Sequence, residues 1–260
     1  MVADPKLRTV IAISLLFAPT VMAAAGLIER RLGPSAAGWV AALPVSFSVA
    51  VVAVILDAGT ATASTMALTA AMHVPAQVLF GVVFAAVLMR RGIVVGLAAG
   101  IATYVACAIA LAGAPVALGV VAALPALALA PRVMADGRPR PGSKRRWSTT
   151  ALTCVAAFTV VGGALATVRL AGPEAAGAAA AFPTLSTTLA VAVAGHDGRL
   201  AGAHALTGLV RSLPCYLAFC LVVALAAPAA GVAAVALGLA ACLAAARATW
   251  RRVPVALQPS

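Results

Sequence analysis

The sequence predicts an all-α polytopic membrane protein of about nine transmembrane helices, in two related repeats of four plus a connecting helix. Three observations carry that expectation. The 260-residue chain is 64% hydrophobic and only 9% charged, whereas soluble domains carry about 25% charged residues. Such a chain cannot cover a water-facing surface. Its apolar runs are unbroken and about 20 residues long, the length of a spanning helix, and they do not alternate as barrel strands do. Two stretches also repeat: RRLGPSAAGWVAALPVSFSVAVV from Arg30 and RLAGPEAAGAAAAFPTLSTTLAV from Arg169. Pro34 matches Pro173, Gly38 matches Gly177, Pro44 matches Pro183, Gly59 matches Gly198 and Pro75 matches Pro214, all at an offset of 139 (173 minus 34).

In chain order the spans fall at roughly 7–28, 35–56, 64–89, 93–111, 115–131, 148–168, 174–195, 201–226 and 229–247. The first resembles a signal peptide, with Lys6 and Arg8 ahead of it and small residues from Ala23 to Gly26. Its counterpart at 148–168 argues that it is retained. The apolar stretch from Gly92 to Ala130 is too long for one span. The break Ala112-Gly113-Ala114-Pro115 divides it as a tight hairpin. The chain therefore reads as a first repeat with its connecting helix over 1–131, a basic linker over 132–147, and a second repeat with a short tail over 148–260.

The net charge of +12 sits in short loops between apolar runs. That pattern marks membrane topology, not nucleic-acid binding. With the N-terminus outside, 14 basic residues fall in the cytoplasm: Arg30, Arg31, Arg90, Arg91, six in the linker, Arg199, Arg247, Arg251 and Arg252. Lys6, Arg8 and Arg169 fall outside. The expected location is a bacterial inner membrane, multi-pass, with the C-terminus cytoplasmic. The odd connecting helix then turns the second repeat upside down relative to the first, as in many secondary transporters. If 115–131 does not span, the repeats are parallel.

The five cysteines all lie in apolar runs, without metal-ligand spacing, and read as small packing residues. No cofactor or metal is expected. Six acidic residues, none paired within a span, and no hydrolase or phosphate-loop pattern argue against an enzyme.

Polar residues inside spans are the remaining candidates. Pro44 with Ser46 and Ser48, and Pro183 with Thr184, Ser186 and Thr187, occupy equivalent places. A proline within a helix frees a carbonyl, and nearby hydroxyls either re-satisfy the backbone or face a polar ligand. Thr65, Thr69, His73 and Gln77 recur every four residues as a slanted stripe. The equivalent helix carries His204, Thr207, Arg211, Ser212 and Tyr216. A charge at membrane depth costs at least about 2.5 kcal/mol and usually faces a cavity or partner. Arg211 is thus a candidate for an anionic substrate group, and His73 for a proton. Asp57-Ala58-Gly59 and His196-Asp197-Gly198 read as solvated turns.

The pattern R-x-x-G-P-x-x-A-G-x-x-A-x-x-P, starting at Arg30 and again at Arg169, resembles a poorly characterised family of bacterial integral membrane proteins. It is loosely similar to membrane proteins of the GlpM type. The resemblance implies the architecture and no particular activity. The expected function is a permease or exporter of a small polar or anionic molecule. The alternatives are a non-transporting accessory protein of a biosynthetic or cell-envelope pathway, and a lipid-handling protein. Membrane lipids and a small-molecule substrate are the expected partners, nucleic acid is not, and a homo-oligomer stays open.

Overall fold

The computed structural model describes residues 27–28, 31–134 and 166–250. The spans expected over 7–28 and 148–168, and the linker over 132–147, lie wholly or almost wholly outside them. Among the described residues every regular element is a helix. They are α1 (Pro34–Ala41), α2 (Val45–Ala58), α3 (Thr60–Met72), α4 (Val74–Arg91), α5 (Ile93–Leu111), α6 (Val116–Val133), α7 (Ala166–Ala180), α8 (Thr184–Asp197), α9 (Arg199–Ala230) and α10 (Ala233–Trp250).

Six stretches are long and apolar enough to cross a membrane: α1 with α2 as one, α4, α5, α6, α9 and α10. A seventh arises if α7 and α8, bent by 42° at their break, form one span. This is the architecture of a helical multi-pass membrane protein. Val94, Ile109, Val121, Leu124, Leu225 and Leu243 are largely exposed on its outside, a surface that suits lipid and not water.

The local geometry follows from punctuation in the sequence. Gly59 and Gly198 take φ near +90° with nearly equal ψ, a left-handed turn that favours glycine. Each reverses the chain directly into the next helix. Pro44 and Pro183 end up between helices, not within them. Ala42 and Ala181 close the preceding helix on Gly38 and Gly177, and Val45 and Thr184 restart the chain with bonds to Leu43 and Phe182. The span expected over 64–89 is divided at His73, where α3 ends and α4 begins with Pro75 in its first turn. Proline lacks the N–H that a helix start leaves unused anyway. The equivalent α9 runs through Pro214 without a break.

α9 is the hub, packing against α1, α3, α4, α6, α8 and α10. Its contacts with α3 and α4 run in opposite chain directions. Ser64 donates to the Ala224 carbonyl, Gly81 faces Val210, and Leu88 reaches Gly202. At one end of this pair the Arg199 guanidinium lies over Gly92. At the other, beside Gly59, Asp57 accepts two bonds from Arg169 at 2.6 and 3.2 Å.

Close backbone contacts run through the centre, beside buried rings such as Phe80, Phe84 and Phe219. Gly38 abuts the backbone of Ala205, and Gly177 abuts that of Met66. Both contacts obey the same offset of 139 (177 minus 38, 205 minus 66). Lipid tails are as apolar as Leu, so helices in a membrane associate through such close packing of small residues.

Candidate functional site

The two helix breaks meet. Between them lies a cavity of about 50 Å³, lined by Ala41 to Pro44, Ser46 and Phe47 from the first break and by Ala180 to Ser186 from the second. Leu209, Gln77 and Tyr216 complete it. Gln77 and Tyr216 are themselves equivalent (216 minus 77 is 139). They stand near the middle of α3–α4 and of α9, which places the cavity at mid-depth of the antiparallel pair.

Each break turns a helix start toward this space. The first i to i−4 bonds of α2 and α8 run from Ser48 to Pro44 and from Thr187 to Pro183, at 2.8 and 2.9 Å. The N–H groups of Ser46, Phe47, Leu185 and Ser186 lie ahead of those bonds and have no acceptor within their own helix. The carbonyls on the opposite side of each break are largely taken. Gly38, Val40 and Leu43 accept from the turn, as do Gly177, Ala179 and Phe182. Tyr104 donates to Ala178 at 2.6 Å, tying the end of α7 to α5.

Among the described residues, three buried polar atoms on the lining have no hydrogen-bond partner: Gln77 Nε2, Ser186 Oγ and the Tyr216 hydroxyl. Gln77 and Ser186 are each 2% exposed. The Tyr216 hydroxyl has only the weakly bonding Cys220 thiol beside it. An unsatisfied buried group costs about 1–3 kcal/mol. Three around one void mark a place that an occupant completes. Phe47 stacks at 5.5 Å on Tyr216 and at 6.0 Å on Phe219, and Phe182 packs at 5.2 Å on both Phe80 and Tyr104. These rings form the walls.

Of the residues singled out in the sequence, Pro44, Ser46, Gln77, Pro183, Thr184 and Ser186 line this cavity. The others do not. Ser48 bonds to Val45, Thr187 to Pro183 and Thr207 to Ala203, each returning its hydroxyl to its own helix. His73 Nδ1 donates to Thr69 at 2.8 Å and caps the end of α3, while Thr69 packs under Gly177. Arg211 faces a separate groove of about 290 Å³ with Arg132, Leu127, Pro131, Pro214 and Thr249. Tyr216 was one of the polar positions of its span; Phe47, Phe182 and Leu209 were not legible as lining, since apolar residues in apolar runs carry no such signal.

Among the described residues no group of three or more His, Cys, Asp or Glu is placed to hold a metal ion. No family model matches the chain, and neither does any curated protein or solved structure.

Proposed function

We propose that this chain is an inner-membrane transporter, a permease or exporter that moves a small polar or anionic solute by alternating access. The observation that carries the reading is the cluster of unpartnered polar atoms, Gln77 Nε2, Ser186 Oγ and the Tyr216 hydroxyl, at the meeting of two broken helices. Irregular backbone at membrane depth is tolerated where it lines a cavity. Broken helices at the midplane are where transporters of repeated architecture hold their substrates. The paired breaks and the contacts related by one offset support two related units, and the opposite direction of α3–α4 and α9 supports their inversion. Arg90, Arg91 and Arg199 then mark the cytoplasmic end. At the other end Arg169 is matched by Asp57.

The test compares metabolite pools inside and outside cells that carry the gene, lack it, or express Gln77→Leu or Ser186→Ala. A solute whose distribution follows the wild type and is lost in both variants, with the protein still inserted, is the expected result. Unchanged distributions in the variants would sink the central-site reading. A second reading rests on the groove at Arg132 and Arg211, whose charge and apolar walls suit a phosphate headgroup. It predicts that Arg211→Ala alters the lipid retained on purification while Gln77→Leu does not.

A further inference from the structure

The lining of the central cavity also bears on the charge of its occupant. The inference rests on the transporter reading above and narrows its substrate class. We infer that the cavity binds a small monoanion, of the size of nitrate or formate, between the N-termini of α2 and α8.

Four features of the lining agree. Both helices that begin at the cavity have 14 residues, long enough for an aligned dipole worth about half a positive charge at the start. Two such ends on one void form an anion site whose donors are the free N–H groups of the first turns. The unpartnered side-chain atoms add donors at the same place: the Gln77 amide nitrogen and the hydroxyls of Ser186 and Tyr216. Among the described residues no carboxylate lines the cavity, so no acidic side chain there repels an anion.

The carbonyls at the ends of α1 and α7 would favour a cation; those of Leu43 and Phe182 on the lining are engaged in the restart bonds, and the helix-start and side-chain donors set the balance toward an anion. The cavity of about 50 Å³ has room for three or four water-sized groups at about 10–15 Å³ each, so an ion of three or four heavy atoms fits. Among the described residues no arginine or lysine lines the cavity, which suits one negative charge better than two.

The experiment uses the full chain in liposomes and, separately, in detergent. Flux of nitrate, formate and chloride is measured beside sulfate, glycerol and sodium. Binding of nitrate and formate is measured by calorimetry. Expected is monoanion flux with sulfate, glycerol and sodium at background. Binding should weaken about tenfold or more in Ser186→Ala and Gln77→Leu, each removing one bond to a charged ligand. Gln77→Glu, which adds a negative charge, should abolish binding. Ser186→Ala changes one buried atom, so the test survives if a Gln77 variant fails to fold.

Flux of glycerol or sodium without the monoanions would overturn the inference and leave the transporter reading standing. Binding without flux would support the anion site and overturn the transporter reading. Neither binding nor flux of any monoanion would overturn the anion site.

Discussion

At the residue scale, glycine decides how near the helices come. A Cβ on Gly38 would collide with the backbone of Ala205, and a Cβ on Gly208 would meet that of Ser35. Backbone cannot step aside as a flexible side chain can. Gly38→Ala and Gly208→Ala are therefore expected to cost about 1–3 kcal/mol each, read as a lower melting temperature in detergent. Gly195 supplies the control. A Cβ there meets nothing within 4 Å, so Gly195→Ala in the interior of α8 should hold or slightly raise stability. Equal losses at Gly38 and Gly195 would contradict this account of the packing. The Asp57–Arg169 pair is the opposite case. Its arginine side chain is 53% exposed, and exposed ion pairs contribute little. Asp57→Asn should leave the melting temperature where it is, although the pair has near-ideal geometry.

Residue identity alone did not separate the two cavities. Arg211 stood out because a charge in an apolar run is conspicuous. Yet it lies five positions before Tyr216, a rotation of roughly 140° around the helix, and so faces the groove with Arg132 while Tyr216 faces the cavity. Ser48, Thr187 and Thr207 look like lining residues in the sequence, but a hydroxyl that bonds its own helix is internally satisfied.

At the element scale, proline position matters more than proline presence. Pro44 and Pro183 separate helices, Pro75 opens one, and Pro214 lies inside α9. The last two are equivalent in sequence but differ in outcome. His73 supplies the local reason on one side, since its N–H and its ring nitrogen both turn back to the last carbonyls of α3. Ser212, its twin, bonds Leu209 within a continuing helix. Pro214 deprives the Val210 carbonyl of its usual donor. Pro214→Ala should thus raise thermal stability, by up to about 3 kcal/mol if the whole propensity difference is realised. A fall in melting temperature would show that the proline is needed by its neighbours.

The element boundaries were mostly legible. The expected 93–111 span is α5 to the residue, and 115–131 became Val116–Val133. Gly92 and the Gly113 turn punctuate the chain strongly enough to be read without tertiary contacts. The division at His73 was not legible. It depends on which carbonyls a histidine reaches, and nothing in the hydropathy records that.

At the scale of the whole molecule, the arrangement to test is inversion. Ala58→Cys and His196→Cys place labels at the ends of α2 and α8, in a background where the five native cysteines are replaced. An impermeant thiol reagent should reach Ala58→Cys from outside the cell and His196→Cys only from within. Labelling of both from one side would mean that the units are parallel, and that the antiparallel course of α3–α4 and α9 has another origin.

The sequence by itself determined that the chain is helical and bound to the membrane. It also placed the Ile93–Leu111 helix, and showed that its two halves share glycine and proline positions. These properties are local: hydropathy over 20 residues, and backbone preferences of single residues. Only the tertiary structure decided that the two broken stretches face each other, that Gln77, Ser186 and Tyr216 lie around one void, and that Arg211 belongs elsewhere. Those outcomes depend on helix rotation and on backbones brought together through Gly38, Gly177 and Gly208. Such contacts join residues more than 100 positions apart, and no window along the chain contains them.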